Sequence, residues 1–370
     1  MSINLERYSS QFRYLFLIFI YFIVSLMVLN TFMDRVGFRG DSPRYGFSRM
    51  MSYTAEQPFC FRVLTPLIIN GAYGLFPDSF IENIEKDLTE DSSLLRYIRD
   101  IEDFDAELSA KYHLTYFYLF FSLMLIVFFL RKLTLTMFDA GSLTIDLAPA
   151  VAMLFLPLIL LHGGYIYDFP EIMFFLMGLV FLLKKNWVGY YLILPLAVLN
   201  KATGIFIILY FIIVNFEKKK TGGFWLHLVV QLLITIPIIA AVRIILSDNP
   251  DPIMPFRLWT NVKFWLDPGS YVKFYEIYAP LLNVPTGANF IFLAFTIYLV
   301  LYRWKEKRRL IRRLFLWPFL VMIPVFLYFG NRDEIRSLTP IFPGLYLLGF
   351  AAITGLYRRL HKKGPEPERP

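Results

Sequence analysis

The sequence predicts an all-α polytopic membrane protein, with about ten transmembrane helices and interfacial helices in a long first extracytoplasmic loop. Three observations carry that prediction. Of the 370 residues, 57% are hydrophobic and only 18% are charged, a balance too apolar for a soluble globular domain. The apolar residues come in blocks rather than amphipathic stripes, and several blocks reach the roughly 20 residues that a bilayer core about 30 Å thick asks of a helix. Short basic clusters stand beside the blocks, at Arg131-Lys132, Lys184-Lys185, Lys218 to Lys220, Lys305 to Arg313 and Arg358 to Lys363. That placement of the basic residues, in a chain of net charge +8, is the pattern of a topology signal and not of a nucleic-acid surface.

The elements follow in order. The block at 13–33 is longer than a signal-peptide core and ends without a small-residue cleavage site, so it is expected to remain as the first span. A first outer loop follows, about 34–111. Within it, "PFCFRVLTPLIINGAYGLF" (58–76) is apolar but contains Arg62, two prolines and two glycines. Counting it as a span would invert every later loop and put the basic clusters outside. It therefore reads as an amphipathic element at the outer interface. Further spans are expected near 112–130, 146–165, 170–183, 188–199, 204–216, 224–246, 286–304, 314–330 and 339–357. With the N-terminus in the cytoplasm, every basic cluster then falls inside. The pieces 188–199 and 204–216 are each short for a crossing and meet at "LNKATG" (199–204). Lysines on both flanks belong inside, which puts the bend in the outer leaflet. Non-helical backbone at that depth is tolerated only against protein or a water-filled cavity. The result is a single transmembrane domain, 1–357, with a second outer loop at about 247–285 and a cytoplasmic tail, 358–370.

The chemically unusual residues gather on the outer side of this topology. The first loop opens with "GDSPRYGF" (40–47), "HGGYIYDFPE" (162–171) forms the turn between the third and fourth spans, Lys201 sits at the bend, and "NRDEIRSLTP" (331–340) is the last outer turn. A carrier would distribute ionisable groups along its spans at mid-membrane. Each residue also has a plainer role. Asp41 suits a solvated turn or cap, and His162 an interfacial hydrogen bond. Asp168 could cap the fourth span, with Pro170 and Glu171 in its first turn. Arg62 could snorkel to headgroups, and Glu334 with Arg336 could be a surface ion pair. Lys201 is harder to set aside, because a charge between two apolar half-helices is costly. Four scattered histidines and the single cysteine, Cys60, offer neither ligand spacing for a metal nor a disulfide. An acid, Asp41, near the fixed cations Arg62, Lys201 and Arg336 remains. An acid can act as general base toward a hydroxyl, and cations stabilise a departing phosphate. That set fits group transfer from a lipid-phosphate donor.

The same residues carry a resemblance. The order "GD…Y" (Gly40-Asp41, Tyr45), "PFCFRVLTP" (58–66), "YDFPEIMFFLMGLVFLLKK…LPLAVLNKATGIFI" and "EIRSLTPIFPGLYLL" (334–348) resembles the GT-C superfamily of polytopic membrane glycosyltransferases, in particular its bacterial-type members. The resemblance covers most of the chain by architecture and these four stretches by motif. It implies an inverting transfer of a sugar from a polyprenyl-phosphate donor to a glycan, lipid or protein acceptor at the outer face of a bacterial inner membrane. By that likeness Asp41 would be the catalytic base. Arg62, Lys201 and Arg336 would hold the donor phosphate, and Tyr45, His162, Asp168, Glu171 and Glu334 would line the substrate pocket. No cofactor is required, although a divalent cation held by Asp41 and backbone groups is compatible with the sequence. Two departures stand out: the adjacent acid pair of many members is here Asp41-Ser42, and a soluble C-terminal domain is replaced by "KKGPEPERP". Three other classes are weighed. A lipid-linked polysaccharide polymerase or ligase would place its largest outer loop late. A transporter or scramblase would show an inverted repeat, and a membrane acyltransferase would want a histidine deep among the spans.

Overall fold

The computed structural model describes residues 5–35, 37–38, 42, 44–77, 79, 81–82, 106–139, 141–156, 164–250, 256–276, 283–285, 287–332 and 334–361. Among these residues five helices are long and apolar enough to cross a membrane: Phe12–Asp34, Glu107–Met137, Gly222–Ile245, Arg309–Phe329 and Ile335–Tyr357. The chain is thus a helical membrane protein. The other expected spans are shorter helices.

The centre of the fold follows from one segment. Helix α6 (Asp168–Leu183) is apolar on all sides beyond its first turn, and nearly all its side chains are buried. A helix that is hydrophobic all round belongs in the interior. Around it pack α4 (Ala106–Met137), α7 (Trp187–Asn200) and α8 (Ile207–Val214). Helix α1 (Leu5–Arg35) and α5 (Ser142–Leu154) lie on the far side of α4. Helix α9 (Gly222–Ile245) flanks α7, while α12 (Arg309–Phe329) and α13 (Phe342–His361) pack together beside α8. Phe16 and Phe19 of α1, Leu226 and Leu233 of α9 and Leu320 of α12 stay exposed, which suits faces turned to hydrocarbon rather than water.

The first loop contributes α2 (Phe47–Met51) and α3 (Leu64–Tyr73). The latter has 10 residues and so spans only about 15 Å, too short to cross. Its Leu64 and Ile69 are buried while Leu67 and Ile68 are exposed. In the second loop, α10 (Leu258–Leu266) is followed by an antiparallel hairpin, β1 (Phe274–Glu276) and β2 (Asn283–Pro285), with Tyr275 opposite Val284. This hairpin, of three residues per strand, is a local feature of one loop in an otherwise helical chain. Short runs carrying aromatic and β-branched residues favour extended pairing over a helix they are too short to form. Helix α11 (Phe290–Leu301) leads back to α12.

Side-chain contacts sort the loops to two ends. At one end Arg13 and Arg131 clamp Asp146, Arg308 donates to the Met137 carbonyl at 2.7 Å, and Arg313 pairs with Glu217 at 3.1 Å. At the other end Gln57 donates to the Ser247 and Asn249 carbonyls at 3.2 and 3.1 Å. Asn249 returns a bond to the Tyr53 carbonyl at 2.8 Å, and Phe32 packs edge-on against Phe169.

Candidate functional site

A cavity of about 410 Å³ opens at this second end, between the first loop, the α6 N-terminus, the bend after α7, and the segment joining α12 to α13. Its walls are built locally. Helix α7 stops at Asn200, Lys201 adopts extended backbone, and a tight helical turn, Ala202–Phe206, leads into α8. The turn folds back onto the last turn of α7: a Cβ on Gly204 would lie 2.3 Å from the Ala197 carbonyl carbon. Only glycine allows the backbone that close, and the approach aims the Lys201 side chain toward α6. On the opposite wall the buried Asn261 of α10 donates to the Leu327 and Gly330 carbonyls, both at 2.9 Å, and accepts from the Arg332 amide at 2.8 Å. It thereby satisfies carbonyls left open at the end of α12 and fixes the turn that delivers Glu334 and Arg336.

The charged residues from these walls meet. Lys201 Nζ lies 2.7 Å from Glu171 Oε2 and 3.8 Å from Asp168 Oδ1. Arg336 reaches Asp168 at 3.1 Å and also pairs with Glu334. Thr203 Oγ1 donates to the second Glu171 oxygen. Asp168 and Glu171 side chains are only 2% and 3% exposed, and these partners offset the cost of burying them. Asp168 does not cap α6. Tyr167 holds the cap position without a side-chain bond, and the Asp168 carboxylate turns back to accept from the Tyr165 amide at 2.9 Å. Nor is Glu334–Arg336 a surface pair, since the Arg336 side chain is 11% exposed and is shared with Asp168.

An aromatic lining adjoins the ion network. Tyr45 stacks on Phe59 with ring centres 4.7 Å apart, Phe59 meets Tyr165 at 5.0 Å, and Tyr165 stacks on Tyr167 at 5.2 Å. Arg62 lies over the Phe59 and Tyr167 rings at 4.7 and 4.3 Å and donates Nη1 to the Pro58 carbonyl at 2.8 Å. Arg336 sits 4.5 Å over Tyr165, and Lys201 5.4 Å over Tyr167. Such placements suit cations held against π faces.

The structure therefore brings Tyr45, Arg62, Lys201, Glu334 and Arg336 to one cavity and sets Asp168 and Glu171 directly behind its wall. Asp41 and His162 lie outside the described residues. Two lining cations, Arg243 in the last turn of α9 and Arg257 before α10, were not singled out from the sequence. Among the described residues no group of three or more His, Cys, Asp or Glu side chains is placed to hold a metal ion. No family model, no curated protein and no solved structure matches the chain.

Proposed function

We propose that the protein is an inverting membrane glycosyltransferase that moves a sugar from a polyprenyl-phosphate donor to an acceptor at the extracytoplasmic face. The observation that carries this reading is the cavity, where five cations and one carboxylate share a wall with stacked tyrosines at one end of a helical bundle. Those cations that are not already paired with carboxylates stabilise the charge on a departing phosphate, and aromatic faces accept sugar rings. In this reading about ten segments cross the bilayer, the shorter ones packed against protein. The end holding Arg13, Arg308 and Arg313 faces the cytoplasm, and the cavity faces outward.

The Asp41 carboxylate takes the proton of the acceptor hydroxyl. The acceptor oxygen forms its bond to the anomeric carbon from the face opposite the phosphate. The bond from that carbon to the phosphate oxygen breaks, and its electron pair leaves with the lipid phosphate. The buried ion network keeps the bend and the last outer turn in register while this happens.

The test is sugar transfer in proteoliposomes supplied with polyprenyl-phosphate sugars, comparing the native chain with Asp41→Asn at matched amounts. Transfer is expected to fall by about 100-fold or more, the usual worth of a general base, with donor binding kept. Unchanged transfer removes Asp41 from the mechanism. Absence of transfer from every donor, with lipid movement between leaflets instead, overturns the enzyme reading.

A further inference from the structure

The five cations of the cavity fall into two sets. Lys201 and Arg336 share the carboxylates of Asp168, Glu171 and Glu334. A phosphate approaching that pair meets more negative than positive charge, and at such short range the repulsion cancels the attraction. Arg62, Arg243 and Arg257 line the same cavity, and among the described residues none of them has a carboxylate partner. Arg62 keeps a buried Nε with no hydrogen-bond acceptor. Arg243 stands 6.0 Å over the Phe61 ring. Arg257 is placed by its amide, which donates to the Tyr328 carbonyl at 2.9 Å, and by a bond from Nη1 to Asn331. Among the described residues these three are the lining cations without a carboxylate beside them.

A further wall of the cavity is apolar. Val242 of α9 and Val325 and Phe329 of α12 line it, and the last two are 39% and 50% exposed. The two helices border the cavity together yet make almost no direct contact with one another. On this side the cavity is bordered by two helices that are not packed on each other and whose outer faces are apolar.

We infer that Arg62, Arg243 and Arg257 form the headgroup site for a phosphate carried on a long apolar chain, and that the chain leaves the cavity between α9 and α12. The assignment rests on reading this cavity as the donor site. It moves the phosphate away from Lys201 and Arg336, whose part is to position the bend and the last outer turn.

The experiment is equilibrium binding of radiolabelled farnesyl phosphate to the full chain in lipid nanodiscs, with no sugar present. Arg62→Gln, Arg243→Gln and Arg257→Gln are each expected to weaken binding about tenfold, the worth of one charge-assisted contact. The Arg→Lys versions should recover part of that loss, which a merely misfolded variant would not. The paired change Lys201→Met with Glu171→Met, which leaves no lone buried charge between them, is expected to stay within about threefold of the native chain. Val325→Trp, on that apolar side, should weaken farnesyl phosphate without weakening competition by inorganic phosphate. Farnesol should compete poorly, and inorganic phosphate should compete less well than farnesyl phosphate. Arginine variants that bind like the native chain, or loss of binding confined to the Lys201/Glu171 pair, overturn the headgroup site. Equal competition by inorganic phosphate overturns the lateral path. Binding lost through the arginines in a protein that transfers no sugar would sink only the enzymatic reading, whereas sugar transfer that ignores all three arginines would sink only this inference.

Discussion

The two ends of the bundle both bury carboxylates against cations, but they do so in different proportions. At the Asp146 end one carboxylate, 2% exposed, is gripped by Arg131 at 2.8 Å and by Arg13, whose side chain is 45% exposed. The Tyr21 hydroxyl adds a bond to the Asp146 carbonyl at 2.7 Å. Cations outnumber acids there, and one of them reaches solvent. The arrangement ties α1, α4 and α5 together. At the cavity end Asp168, Glu171 and Glu334 outnumber Lys201 and Arg336, and the whole set is largely buried. A buried network that is short of positive charge depends on every cation it has and can spare none for a ligand. The same physics makes a brace at one end and, at the other, a wall whose free cations must come from elsewhere.

That contrast is broken most directly by removing one cation from each end. Arg336→Met leaves Asp168 with Lys201 alone, at 3.8 Å, and takes the partner of Glu334. The expected loss is about 3 to 5 kcal/mol, the range for a buried charge left without its partner, seen by chemical unfolding in mixed micelles. Combining it with Asp168→Ala should restore part of the loss, because one of the unpartnered acids is gone. If the double variant is no more stable than the single one, the network is not the source of the cost. Arg131→Met should cost less, about 2 kcal/mol, because Arg13 still holds Asp146. An equal loss at both ends would show that the surplus of acid at the cavity has no energetic consequence.

Lys201 could be found in the sequence because the signal is local: a charge between two apolar half-helices stands out whatever it contacts. That residues 58–76, broken by prolines and glycines, form no helix long enough to cross was legible for the same reason. The pairing of Asp168 with Arg336 joins residues 168 positions apart. It depends on the turn that Asn261 holds, which no pattern in "EIRSLTP" discloses. Asp146 is the instructive miss. A lone acid inside the apolar run 143–156 is a costly residue of the kind that needs a partner, and Arg131 beside the preceding block was the obvious candidate. Arg243 and Arg257 were hidden because a cation at the end of an apolar helix and one in a polar loop both have cheap explanations. Only the cavity puts them beside Arg62.

A smaller effect sharpens the comparison through the backbone. Gly204→Ala places a Cβ 2.3 Å from the Ala197 carbonyl oxygen and 2.7 Å from the Val198 nitrogen. Neither atom belongs to a flexible side chain, so the bend must shift, at a cost of about 2 kcal/mol. The shift moves Lys201, whose carbonyl accepts from the Gly204 amide at 2.7 Å, and should couple to Glu171. In a double-mutant cycle Gly204→Ala and Glu171→Gln are therefore expected to be non-additive, while Gly204→Ala and Asp146→Asn should add. Additivity in both cycles would mean that the bend and the ion network are independent.

The smallest expected effect lies back at the end opposite the cavity, where a buried lysine has no carboxylate partner among the described residues. Lys307 is 7% exposed and donates to the Leu299 and Val300 carbonyls at 2.6 and 2.9 Å, closing the C-terminus of α11. A cation is favoured at a helix C-terminus, but here burial outweighs the dipole and pushes the ammonium down to about 8. The unfolded chain keeps this proton up to the ordinary lysine range, so above pH 8 the unfolded state binds more protons than the folded one. Stability should therefore rise as pH increases through 8, by about 1 kcal/mol between pH 7 and 9. Unfolding of the native chain and of Lys307→Met across that range isolates the contribution, since the methionine variant cannot titrate there. Parallel slopes in the two proteins would place the proton on another group. A rise confined to the native chain would make this buried lysine the counterpart of the cavity network: a cation kept without a carboxylate, tolerated because two carbonyls accept from it and because it can lose its charge.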